Sequence, residues 1–168
     1  MTASQAVSVL LEDRLITLTR AVGLIRRRNL PVRSLAVGPG NTPGISRLTI
    51  MLQSDPATAE RAVQHLQKVV GVHSAVAFPA GEGVTRELAL VKVRVPSERY
   101  GELLDVIQLY KGSIIDDSPD AMIVEVSGSE AFILSCIRAL ERFGVVEIAR
   151  SGTVALVPGS DSQPRTLP

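Results

Sequence analysis

A chain of 168 residues, 45% of them hydrophobic, holds one medium domain or two small ones with ample material for a core. A formal charge of +1 gives no overall pull toward nucleic acid or an anionic membrane, and the one cysteine, Cys136, excludes an internal disulfide framework and fits a reducing cytosol. Aromatics are only 3% and Trp is absent, so the core must be built from Val, Leu, Ile and Ala.

Met1 to Ala6 is too short and too polar for a signal sequence, and no apolar run approaches the roughly 18 residues that span a bilayer. The protein is therefore expected to be cytoplasmic. Val7 to Leu11 is an apolar run of strand length. After a loop around Asp13 to Ile16, a helix places Leu18, Ala21, Val22 and Ile25 on one face and Arg20, Arg26, Arg27 and Arg28 on the other, and Pro31 stops it. Val32 to Val37 reads as a second strand, Gly38 to Gly44 as a turn-rich connection, and Ile45 to Leu52 as a third strand. Asp55-Pro56 is a clean helix start, with Ala59, Ala62, Val63, Leu66 and Val69 as the buried stripe. Val72 to Phe78 closes the unit, and residues 80–83 form a linker.

The same order repeats. Leu88 to Val95 is a strand, Ser97 caps a helix that Gly112 ends, and Ser113 to Ile115 is a short strand. Asp116 to Asp120 reads as a turn and Ala121 to Val126 as a strand. Ser129 caps the last helix, Gly144 stops it, and Val145 to Ile148 and Thr153 to Val157 are closing strands. The expectation is an α+β protein of two ferredoxin-like βαββαβ sandwich domains in tandem, at 1–79 and 84–157, with 158–168 a disordered tail.

No residue set reads as catalytic. His65 and His73 lie eight apart and Cys136 is distant, which gives no metal-ligand spacing. Cys136 reads as a small core residue. Gly38-Pro39-Gly40 superficially suggests a phosphate loop, but proline removes a donor and a strand follows rather than a helix. Arg26 to Arg28 complement a helix C-terminus; a solvated end is the favoured reading over contact with nucleic acid or an acidic partner.

The segments Ser8 to Glu12, Arg33 to Val37 and Ser46 to Ile50, followed by Arg86 to Val93, Gly112 to Asp116 with Ser118-Pro119, and Glu147 to Gly152, together resemble the small regulatory subunit of acetohydroxyacid (acetolactate) synthase, over about Ser8 to Leu156. The resemblance implies an N-terminal ACT domain that pairs with its copy to bind an amino-acid effector, and a related C-terminal domain. It also implies a homodimer partnered with a catalytic subunit that uses thiamine diphosphate, FAD and magnesium; none of these cofactors is bound by this chain. The family's Glu-Asn-x-x-Gly-x-Leu loop corresponds to Glu12 to Leu18, so Asp13 stands for asparagine and Ile16 for glycine, with Thr17 and Leu18 following. The later Arg-Gly-Tyr/Phe-Asn-Ile segment corresponds to Arg28 to Val32, with Pro31 in place of asparagine and Val32 after it. Asp13 lacks an amide's donors, Ile16 lacks glycine's access to positive φ, and Pro31 has no N–H. Weak or altered valine feedback is the expectation. A stand-alone ACT-type amino-acid sensor acting on another enzyme is the alternative reading.

Overall fold

The computed structural model describes residues 4–94 and 97–159. The described residues divide into two compact units, 4–85 with 153–159, and 86–94 with 97–152.

In the first unit β1 (Ser4–Glu12) leads into α1 (Leu15–Arg27), β2 (Val32–Pro39), β3 (Ile45–Gln53), α2 (Pro56–Leu66) and β4 (Val72–Pro79). The sheet is antiparallel in the order β2-β3-β1-β4. Side chains alternate across a strand, so Val7, Val9 and Leu11 join Leu48, Ile50, Leu52 and Ala75 on one face. Ala21, Ile25, Ala59, Ala62 and Leu66 of the two helices close that core. The even residues of β1 are covered as well, since Ala6, Ser8 and Leu10 are all buried. This double burial is why β1 has no polar alternation in its sequence.

Local chemistry sets the helix ends. Asp55 accepts from the Thr58 N–H at 2.7 Å, with Pro56 in the first turn of α2. The end of α1 corrects the expectation that Pro31 stops it. Asn29 turns to φ 48, and Leu30 N–H donates to the Ile25 carbonyl at 3.2 Å, closing the helix before the proline is reached. The Pro31 carbonyl then accepts from Gln53 N–H at 2.9 Å and opens β2.

The second unit repeats the order with β5 (Val84–Arg94), which begins in the first unit, then α3 (Tyr100–Leu109), β6 (Ser113–Ser118), β7 (Ala121–Gly128), α4 (Glu130–Glu141) and β8 (Val145–Arg150). Its strand order is β6-β7-β5-β8. Val91, Val93, Met122, Val124 and Val126 pack beneath Leu103, Ile133, Cys136 and Leu140. Arg150 grips the buried Glu87 with two hydrogen bonds, one of them 2.8 Å, and so ties the two segments by which the chain enters and leaves this unit. Ser129 caps α4 as read from the sequence, accepting from Phe132 N–H at 3.3 Å.

Three details differ from the sequence reading. Ser97 opens a 3-10 turn, Ser97–Arg99, and α3 begins at Tyr100 with Arg99 at its N-cap and no side-chain cap. Asp116 and Asp117 lie within β6, because its pairing with β7 continues to Ser118 opposite Ala121. The last strand, β9 (Val154–Leu156), pairs with β5, as a closing strand of the expected domain at 84–157 should, but its side-chain packing lies with the first unit: Ala155 packs on Ala6 and Met51. The tail expected at 158–168 lies outside the described residues from 160 onward. Among the described residues no helix is long and apolar enough to cross a membrane.

Candidate functional site

The connection from β1 to α1 borders a cleft of about 360 Å³, a volume in the range of small-molecule sites. Its walls are Leu11, Leu15 and Leu18 on one side and Val37, Gly38 and Pro39 from the end of β2 on the other. Glu12, Asp13, Arg14 and Ser46 supply the polar groups.

The loop is held from several directions. Glu12 N–H donates to the Gly71 carbonyl at 2.8 Å, and Asp13 N–H to the Gly44 carbonyl at 2.8 Å. The Ser46 hydroxyl donates to Asp13 Oδ1 at 2.8 Å, and Thr17 Oγ1 reaches Glu12 Oε2 at 3.4 Å. Arg14 is the N-cap of α1, and its side chain makes no capping bond. Thr17 N–H donates to the Arg14 carbonyl at 3.0 Å, so it is the N–H groups of Leu15 and Ile16 that keep their capacity to meet an anion at the positive end of the helix dipole. Two acids, one arginine and a helix start around an apolar pocket suit a small zwitterion with an aliphatic side chain.

Of the four matched positions in this stretch, two reach the cleft and two, Ile16 and Thr17, lie outside its lining. Asp13 and Leu18 line the cleft. Thr17 is fully buried and faces inward, while Ile16 is 54% exposed in the first turn of α1. Helical backbone at Ile16 corrects the argument that this position needs positive φ; what glycine would bring is only the missing side chain. Pro31 and Val32 lie past the far end of α1, whose 13 residues span roughly 20 Å. The protomer does not bring them to the cleft.

Neither Ser46 nor Gly71 was assigned a site role from the sequence. Ser46 offers no local signal, because it is 33 residues from the aspartate it binds. Gly71 has φ +90 and a Cβ there would stand 2.8 Å from Thr17 Cγ2, so it is fixed by a packing contact that no motif announces. Elsewhere, burial pushes the Cys136 thiol up to about 11, in keeping with its place in the core. Among the described residues no group of three or more His, Cys, Asp or Glu is placed to hold a metal ion.

Residues 7–74, which contain the entire cleft lining, match the model of the AHAS small subunit-like ACT domain, and residues 86–159 match that of the small subunit of acetolactate synthase. The chain belongs to the acetolactate synthase small-subunit family. It is 34% identical over 154 residues to a probable acetolactate synthase small subunit of Archaeoglobus fulgidus, covering 92% of this chain and 96% of that one. A probable small subunit of Methanothermobacter thermautotrophicus is 36% identical over 155 residues, covering 92% of each. The crystal structure of the Thermotoga maritima acetolactate synthase small subunit superposes with a TM-score of 0.87 at 31% identity, over 94% of this chain and 99% of that one. The small-subunit likeness therefore runs through both βαββαβ units, and the cleft belongs to the ACT half.

Proposed function

We propose that this chain is a non-catalytic subunit that docks on the catalytic subunit of acetolactate synthase, raises its activity, and senses an amino acid in branched-chain amino-acid biosynthesis. The observation that carries this reading is the family match through both units in order, with the small polar-rimmed cleft lying in the ACT half. The catalytic partner would carry thiamine diphosphate, FAD and magnesium and perform the condensation of pyruvate. The complex would work in the cytoplasm.

The effector site would be completed by a second copy. β2 is an edge strand of the first sheet, with Leu35 and Val37 exposed along it, and an open edge of this kind calls for cover. Antiparallel pairing of two β2 strands centred near Leu35 would set Pro31 and Val32 of one copy opposite Pro39 and Gly38 of the other, beside the cleft. Such a homodimer would bring Pro31 and Val32 of one copy to the cleft that Asp13 and Leu18 of the other line, with Ile16 exposed and Thr17 buried in the helix turn nearby. Asp13 and Pro31 supply fewer donors than the asparagines of the family pattern, so valine feedback would be weak or altered.

The test mixes the purified chain with its cognate catalytic subunit and measures acetolactate formation with and without valine. The chain alone should form none, and the mixture should outpace the catalytic subunit alone. Equal rates in the presence of demonstrated binding would remove the activator reading. Half-inhibition by micromolar valine would remove the weak-feedback reading. Light scattering should give twice the protomer mass.

A further inference from the structure

Charge is partitioned along a chain that is nearly neutral as a whole. Residues 4–85 carry nine Lys and Arg against five Asp and Glu, whereas residues 86–152 carry eight against eleven. The basic excess concentrates on the helix layer of the first unit: from Arg14 to Arg28 there are five arginines and no acid. All five are exposed. Among the described residues none of them forms an ion pair, while Lys92–Glu147, Arg99–Glu102 and Arg150–Glu87 lie in the second unit. Exposed Arg61 and Lys68 extend the patch along α2 and its end, where Glu60 is the one acid not engaged in capping. Partial burial, then the charges of Arg28 and Lys68, hold His65 below its ordinary pKa, so the ends of α1 and α2 share one positive field.

Helical periodicity places Arg20 and Arg27 on one flank with Gly23 between them, away from the Leu15–Leu18 flank that lines the cleft beside β2. Glycine in a helix interior is destabilising. Nothing in the fold requires it at position 23, where a Cβ would meet only the end of the Arg27 side chain at 3.5 Å. Its effect is a low point between two arginines, open to the approach of another surface.

A second copy is a poor occupant, because a two-fold contact sets a face against itself and α1 has no acid to answer its arginines. Single-stranded nucleic acid is no better served. Phe78 is the only aromatic residue in 4–85, and it packs with Ala6 and Met51, leaving no stacking platform. We infer that the Arg20–Gly23–Arg27 face, with Arg26, Arg28 and Lys68 around it, is the surface that docks on an acidic patch of the acetolactate synthase catalytic subunit. This rests on the proposed function and adds to it where the contact lies.

The experiment measures binding of the full chain to its cognate catalytic subunit at several salt concentrations, for the wild type, for Arg20→Glu with Arg27→Glu, and for Arg138→Glu at an exposed position of α4. Wild-type affinity should fall with added salt. The double variant should bind about tenfold or more weakly at low salt with a flattened salt dependence, while Arg138→Glu stays within about twofold. Light scattering should find the double variant in the wild-type oligomeric state. If the wild type binds and the double variant binds equally well, the docking surface lies elsewhere. If the double variant loses its oligomeric state, the face is a contact between copies and the inference fails. If the wild type ignores the catalytic subunit but binds duplex DNA or phosphatidylserine vesicles through the same arginines, the inference fails with the function on which it rests.

Discussion

Gly71→Ala tests the packing under the loop that joins β1 to α1. The residue sits at φ +90, a region where an alanine is strained by about 1–2 kcal/mol. Its new Cβ would lie 2.8 Å from both Thr17 Cγ2 and Thr17 Oγ1 and 3.0 Å from Glu12 Oε2. Thr17 cannot swing away freely: it is fully buried, β-branched, and bonded to Glu12. Relieving the contact must move the first turn of α1 or the end of β1, and overpacking of this kind costs about 1–3 kcal/mol. The total of roughly 2–5 kcal/mol corresponds to a fall in Tm of roughly 5–15 °C for a chain of this size. Gly81→Ala is the control, since a Cβ there meets nothing within 4 Å and the backbone is not at positive φ. Differential scanning calorimetry on the full chain should show a large drop for Gly71→Ala and less than about 2 °C for Gly81→Ala. Adding Thr17→Ala to Gly71→Ala should cost less than the two single losses combined, because it removes two of the three close contacts. A Gly71→Ala protein melting with the wild type would refute the account.

Asn29→Ala should destabilise by about 1 kcal/mol, through the left-handed backbone that closes α1, whereas Asn29→Gly should hold or raise Tm. Arg150→Met leaves Glu87, whose side chain is 3% exposed, buried without its cation. The loss should be about 2–3 kcal/mol in urea unfolding, discounted because Arg150 is a third exposed, and adding Glu87→Gln should recover part of it. Cys136 should resist iodoacetamide at pH 8 in the native protein and react promptly in urea. Raising its pKa from 9.0 to about 11 also means that the unfolded chain loses this proton first, so the contribution to stability is complete below pH 9 and is lost as the pH rises toward 11.

Where the sequence was legible, a local rule decided the outcome. Asp55-Pro56 and Ser129 start helices because their side chains reach N–H groups three residues on. Asp13 and Leu18 line the same cleft because a strand end and the helix after it are close by connectivity. What was hidden is nonlocal. The alternation of Thr153 to Val157 reveals a strand but not which core receives it, and Ala155 finds Ala6 and Met51 about 150 and 100 residues back along the chain. Asp116-Asp117 reads as turn chemistry, yet pairing with Ile123 and Met122 keeps both residues extended. Pro31 looks like the helix stop from its own chemistry, but Asn29 has already turned the chain.

The effect of aspartate at position 13 is narrower than a change of charge suggests. Oδ1 accepts the Ser46 hydroxyl at 2.8 Å, and an asparagine carbonyl could accept the same bond. The fold therefore uses only what the two side chains share. What differs is the second atom, an anionic acceptor in aspartate and a two-proton donor in asparagine, and this exposed residue lines the cleft. Asp13→Asn should leave Tm within about 2 °C of the wild type while changing what the cleft can hold. A valine carboxylate would lose a repulsion and gain a donor, so calorimetric titration of the purified protein should show valine binding about tenfold tighter or better. Ile16→Gly is a less discriminating variant, because it adds glycine to the first turn of α1 and costs helix stability of about 1 kcal/mol at the same time. If Asp13→Asn keeps its stability and valine affinity does not rise, the backbone of the α1 start governs the carboxylate and the side chain at 13 does not select the effector.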